Sequence, residues 1–121
     1  MATDITIEWL GGSDYLLDTA YQADLCDGGW GRLWEEGGRC FLAGPPQEEA
    51  AKPVKHEAWN DYRIRCQGNH VQLWINGRPT ADYRELTPTI TRTGIIGLQI
   101  HAGLPGEAWY KDLVIRELPE K

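Results

Sequence analysis

No other stretch restricts the fold as strongly as Val71-Gln72-Leu73-Trp74-Ile75-Asn76-Gly77. Apolar and polar residues alternate with the two-residue period of a strand that buries one face. An Asn-Gly pair follows at once. Both residues accept the positive φ of a tight hairpin turn, so the chain is expected to reverse there. Upstream, Tyr62-Arg63-Ile64-Arg65-Cys66 alternates in the same way, and Gln67-Gly68-Asn69 supplies turn residues. The returning strand is predicted over 78–83, with Pro79 pushing it towards a sheet edge or a bulge.

Around this meander the signal varies. Gly94 opens Ile95-Ile96-Gly97-Leu98-Gln99-Ile100-His101, Gly103-Leu104-Pro105-Gly106 reads as a turn, and 108–118 reads as a final strand. Residues 4–10 alternate, and 15–26 hold one or two strands broken near Asp18. The glycine-rich stretch 27–44 reads as a loop. Residues 45–57, with Pro45, Pro46 and Pro53, support at most one helical turn. Fourteen glycines, seven prolines and six tryptophans against one phenylalanine favour tight turns and β structure. The 121 residues suit a single domain, 1–121, and short strands with regular turns predict an all-β antiparallel sandwich.

Strand parity assigns faces. With Ile96, Leu98 and Ile100 inward, Gly97, Gln99 and His101 share the other face; with Val71, Leu73 and Ile75 inward, Gln72, Trp74 and Asn76 point out. Trp, Gln and His on a sheet face suit a sugar, because rings stack on apolar sugar faces while amides and imidazoles bond hydroxyls. A plain polar outer face with one amphipathic Trp fits the same pattern.

Other classes are disfavoured. A formal charge of −6 argues against a dedicated nucleic-acid binder, which needs a basic patch. No apolar run is long enough for a membrane helix, and Met1-Ala2-Thr3-Asp4 does not open a secretory signal. The glycine-rich loop lacks Gly-Lys-Ser/Thr, and His56-Glu57 lacks the second histidine of a zinc-protease helix. Cys26, Cys40 and Cys66 have no metal spacing; they read as reduced thiols, or as a Cys26–Cys40 bridge with Cys66 free.

Four segments occur in order: Trp59-Asn60-Asp61-Tyr62-Arg63-Ile64, Trp74-Ile75-Asn76-Gly77, Gly97-Leu98-Gln99-Ile100-His101-Ala102-Gly103 and Trp109-Tyr110-Lys111-Asp112-Leu113. Together with Tyr21-Gln22-Ala23-Asp24 and Trp30-Gly31-Arg32-Leu33-Trp34-Glu35-Glu36-Gly37-Gly38-Arg39, they resemble the 3-keto-disaccharide hydrolase family. That family has a jelly-roll sandwich akin to concanavalin A-like lectins and glucanases. The resemblance runs from about Tyr21 to Leu118. Family domains are usually longer at the N-terminus and often exported, so 4–10 is expected to stand in for opening strands. Self-association into a homo-oligomer is expected to cover the edges left exposed.

The resemblance implies cleavage of glycosides whose sugar carries a ketone at position three. The ketone acidifies the neighbouring C–H, a base removes that proton, the glycosidic oxygen leaves, and water adds to the enone. Such a site needs a base, a stabiliser for the enolate oxygen and a proton donor. A divalent metal ion can fill the second role as a Lewis acid. His101, Asp24 and Lys111 are the catalytic candidates: His101 as base or metal ligand beside Gln99, Asp24 two residues from Gln22 on one strand face, Lys111 to polarise the ketone. Lys111 shares parity with Leu113 and Ile115, so it reaches the site only across a bulge. Gln22, Gln99, Trp74, Trp34, Glu35 and Arg39 are candidates for substrate binding, with Trp30 a further stacking ring. Glu35, Glu36 and Arg39 are read as part of a loop closing over the substrate. Paired glutamates also raise a conventional glycosidase, although adjacent strand residues point to opposite sides. A non-catalytic carbohydrate-binding module of the same fold is the alternative. His56 and His70 receive no role.

Overall fold

The computed structural model describes residues 3–10, 20–25, 29–36, 38–89, 96–98 and 109–119, with backbone alone at 3–10, 20 and 36. Strands β1 (Thr3–Leu10), β2 (Ala20–Ala23), β3 (Leu33–Glu36) and β4 (Cys40–Ala43) precede a single helical turn, α1 (Gln47–Ala50). Strands β5 (Asn60–Gln67), β6 (His70–Ile75), β7 (Arg78–Arg84) and β8 (Trp109–Glu117) follow. They form a five-stranded sheet in the order β7-β6-β5-β1-β8 and a three-stranded sheet β2-β3-β4, every pairing antiparallel. The expected antiparallel β-sandwich is borne out.

The β6–β7 reversal lies at the Asn-Gly pair, with φ of 50° at Asn76 and 79° at Gly77. Asn76 does more than turn the chain. Its Oδ1 accepts from the Asp61 N–H at 2.9 Å, and its Nδ2 donates to Pro53 O at 2.7 Å and Asn60 Oδ1 at 2.9 Å. The hairpin thus fastens the preceding loop to β5. Pro79 stands on edge strand β7 beside a bulge between Leu73 and Trp74, as a residue without an N–H requires.

The core lies between the sheets. Leu73 and Ile75 of β6, Tyr62 of β5 and Leu33 of β3 are almost fully buried, with Val71, Ala81 and Trp30 beside them. Each large apolar side chain removed from water contributes about 1.5–3 kcal/mol. The Tyr62 hydroxyl donates to the Asp24 carbonyl at 3.4 Å, and burial holds its pKa well above the ordinary tyrosine value. The core thereby ties β5 to the end of β2.

Several expectations are corrected. Residues 27–44 are not a loop throughout, since β3 and β4 occupy part of them. A four-residue strand shows only two alternations, too few to stand out among glycines. Gly31, at φ 71°, donates its N–H to Asp24 O at 3.2 Å, and a Cβ there would sit 2.6 Å from Thr80. Residues 96–98 are irregular rather than extended, and Ile96 and Leu98 are 42% and 49% exposed rather than core. Parity predicts burial only within a paired ladder, and these three residues have none. Trp30 joins the core rather than a stacking surface. Cys40 and Cys66 are free thiols, and Cys26, the other half of the bridge considered, lies outside the described residues.

In β8 the bulge that Lys111 required is present. Thr6 pairs with Val114 but Glu8 with Lys111, and Asp112 takes a φ of 52° between them. The extra residue moves Lys111 to the face opposite that of Ile115.

Candidate functional site

The three-stranded sheet presents two chemically different faces. Register places Gln22 opposite Trp34, and Trp34 opposite Phe41; Tyr21 stands opposite Glu35. Tyr21, Ala23 and Leu33 turn inward onto the core. Gln22, Trp34 and Phe41 therefore share the outer face. Trp34 meets Phe41 edge-on with centroids 5.8 Å apart, and the Arg32 guanidinium lies 4.1 Å from the Phe41 ring and 5.4 Å from that of Trp34.

Asp24 follows β2 at the same parity as Gln22. Its Oδ1 accepts from the Leu25 N–H at 2.9 Å and from Gln22 Nε2 at 3.3 Å, which fixes the direction of a largely buried carboxylate. Gln22 Oε1 and Trp34 Nε1 are shut off from water with no hydrogen-bond partner among the described residues. A buried polar atom left in that state costs about 1–3 kcal/mol. One is an acceptor, the other a donor, and they stand on paired residues.

On the inner face, the β3–β4 turn brings Arg39 back onto Glu35, whose carboxylate accepts from Arg39 Nε. A Cβ at Gly38 would meet that carboxylate, so glycine there lets it take this position. Arg39 also forks onto Glu85, just beyond β7, with Nη1 donating to Oε2 at 3.0 Å and Nη2 to Oε1 at 2.6 Å. Glu85 further accepts from the Tyr21 hydroxyl and, at 3.1 Å, from the Thr87 N–H. The Arg39 fork above all holds the Glu85 carboxyl down at about 2. Burial, and then Glu85, push the Tyr21 phenol up. A carboxyl ionised throughout the neutral range is no general acid, which weighs against a conventional glycosidase pair built on Glu85.

The remaining predicted residues stand elsewhere. Trp74 lies on the outer face of the large sheet, where the Arg63 guanidinium sits 4.8 Å from its ring centroid. Lys111 is in register with Glu8, and Glu8 with exposed Asp61; buried Tyr62 points the other way. Lys111 is thus on that same outer face, its Nζ 4.6 Å from the Trp59 ring centroid. His101 and Gln99 lie outside the described residues.

The structure therefore brings Gln22, Asp24 and Trp34 together, sets Glu35 and Arg39 on the opposite side of the small sheet, and separates Trp74 and Lys111 from both. Sequence reasoning missed Arg32, Phe41, Tyr21 and Glu85. It also gave no role to His70, whose Nε2 lies 2.6 Å from Asp82 Oδ1 and lowers that carboxyl's pKa. For Glu85 a signal existed: Ala81, Tyr83 and Glu85 alternate along β7, so the parity that buries Ala81 also turns Glu85 inward.

As to a metal, Asp24 and Gln22 offer one carboxylate and one amide oxygen. Among the described residues no group of three or more His, Cys, Asp or Glu side chains converges. The residues described do not make a metal site, and no step is derived through one. Among them no helix is long and apolar enough to cross a membrane.

A search of curated proteins gave no match. The family model described as the 3-keto-alpha-glucoside-1,2-lyase-like domain matches residues 12–116. With the sandwich and the resemblance of the Tyr21–Asp24, Trp59–Ile64 and Trp109–Leu113 segments, that match assigns the chain: it belongs to the 3-keto-alpha-glucoside-1,2-lyase-like family.

Proposed function

We propose that the protein acts on 3-keto-glycosides, with the outer face of the small sheet as the sugar-binding surface. The observation that carries this reading is the Gln22–Trp34 pair, an unmet acceptor beside an unmet donor. A sugar hydroxyl donates and accepts in one group, and so satisfies both. Neighbouring Asp24 supplies an oriented carboxylate. Both unmet atoms lie beneath the surface, so substrate must displace what covers them; Arg32 lies across the Trp34 and Phe41 rings on the same face.

In this reading a base removes the proton beside the ketone, the glycosidic oxygen leaves with a proton, and water adds to the enone. Asp24 and His101 are the proton-transfer groups, and Gln22, Gln99 and Trp34 orient the sugar. Glu35 and Arg39 support the sheet from behind. Gln22→Ala and Trp34→Ala test the binding role. Each is expected to raise KM for a 3-keto-disaccharide about tenfold or more, the loss of roughly one hydrogen bond to a buried partner. An unchanged KM in both overturns the assignment of this face.

A second reading, a carbohydrate-binding module without turnover, is favoured by the separation of Lys111 from Asp24. It predicts sugar binding that Gln22→Ala weakens, with no product. Assembly with a second copy suits either reading. Among the described residues β8 is the outer strand of the large sheet, and Leu113, Val114 and Ile115 on it are exposed, flanked by Lys111-Asp112 and Arg116-Glu117. Antiparallel pairing of two such edges about Val114 brings the basic residue of each flank to an acidic one.

A further inference from the structure

We propose that Glu85 is a positioning residue: it locks the three-stranded sheet to the large one and so fixes Gln22, Asp24 and Trp34, an inference that rests on the proposed sugar site. The geometry is specific. Glu85 is carried by the end of β7, in the large sheet. Its backbone is pinned by two bonds to Asn69 in the β5–β6 turn, Glu85 N–H to Asn69 O at 2.8 Å and Asn69 Nδ2 to Glu85 O at 3.0 Å. Its side chain, only 3% exposed, takes the Tyr21 hydroxyl from β2 and the Arg39 fork from the β3–β4 turn. Arg39 in turn holds Glu35 of β3. One carboxylate therefore clamps β2 and, through Arg39, β3 and the turn that leads into β4.

The coupling to the opposite face is direct. Tyr21 precedes Gln22 on β2, and Glu35 follows Trp34 on β3, so each clamped residue is the immediate chain neighbour of a proposed sugar contact. Strand geometry sends neighbours to opposite faces, so a shift of Tyr21 or Glu35 moves Gln22 or Trp34 by a comparable distance. At the rim itself Arg39 is partly exposed and Phe41 faces out. Glu35 and Arg39, expected from the sequence to close over a substrate, act instead as the far half of a clamp. The Glu35 carboxylate occupies the space that a Cβ at Gly38 would fill, so a larger residue there would have to displace the clamped carboxylate.

The test compares Glu85→Gln and Tyr21→Phe with the wild-type protein by amide hydrogen exchange and by turnover of a 3-keto-disaccharide. In each variant the β2 and β3 amides are expected to exchange roughly tenfold or more faster, while β5 and β6 keep their protection. Turnover is expected to fall about 10–100-fold in kcat, the penalty for misplacing reactive groups by a fraction of an ångström to an ångström. The pH profile should keep its shape between about pH 5 and 9, because Glu85 only positions and does not transfer protons. Exchange unchanged in β2 and β3 overturns the clamp, and so does wild-type kcat in both folded variants. A shifted limb of the pH profile overturns the positioning role in favour of a catalytic one. If the wild-type protein itself releases no product, the sugar-site reading has failed, and hydrogen exchange still decides the clamp. Should Glu85→Gln fail to fold, Tyr21→Phe, which removes one hydroxyl, carries the test alone.

Discussion

The Arg39 guanidinium and the Glu85 carboxylate, 46 residues apart in the chain, meet as a two-pronged ion pair between the two sheets, at 3.0 and 2.6 Å. Only the Glu85 side of the pair is buried, so removing Arg39 leaves an uncompensated buried charge, which is more damaging than replacing both partners. Arg39→Met is therefore expected to destabilise the protein more than Arg39→Met combined with Glu85→Leu, as chemical denaturation measures. A double variant less stable than the single one contradicts this.

The same pair sets an acid limit. The Glu85 carboxyl lies at about 2 against an ordinary 4.5, so its contribution to stability is full above pH 4.5 and is lost as the pH falls towards 2. The stability difference between wild-type protein and Glu85→Gln should be constant near neutrality and should narrow through that window. Denaturation midpoints at pH 7, 4.5, 3.5 and 2.5 measure it. A gap that stays constant down to pH 2.5 contradicts the depressed value.

Core and turn give a second calibration. Leu73 and Ile75 have no measurable exposure, and Leu73→Ala is expected to cost about 2–5 kcal/mol through lost burial and the cavity left behind. Gly77→Ala faces no neighbour within 4 Å, so its expected cost of about 1 kcal/mol comes from forcing a Cβ into positive φ. Urea denaturation separates the two. A Gly77→Ala cost equal to that of Leu73→Ala contradicts the conformational origin.

Much of this fold was legible because the meander from β5 to β7 is written in uninterrupted alternation around Asn76-Gly77, where turn chemistry and parity agree. Strands β3 and β4 were not. Each spans four residues beside glycines whose purpose, seating the Glu35 carboxylate against Gly38, is a tertiary one. Lys111 lay between: parity put it on the wrong face, and only a bulge at Asp112, with an unfavoured φ in a non-glycine residue, moved it. At the site, Gln22, Asp24 and Trp34 were legible at positions resembling the family's motifs, and the small sheet brings them together. Glu85 was hidden because a charge after an edge strand ordinarily faces water.

Among the described residues β8 is the outer strand of the large sheet. With Leu113, Val114 and Ile115 exposed on it, the protein is expected to sediment as a dimer at micromolar concentration. Arg116→Asp is expected to yield monomer, and Arg116→Asp with Asp112→Arg to restore the dimer, since the swap preserves opposite charges across the pair. A wild-type monomer, or an Arg116→Asp dimer, contradicts pairing through this edge.

On the outer face of the small sheet, proposed as the sugar site, Asp24 stands beside Gln22, and Gln22 pairs with Trp34. The most direct measurement incubates folded wild-type protein and Asp24→Asn with a 3-keto-disaccharide and follows release of the second sugar. Release by the wild-type protein, slowed about a hundredfold or more in Asp24→Asn with little change in stability, is the predicted result. No release by the wild-type protein, or equal release by both, would contradict it.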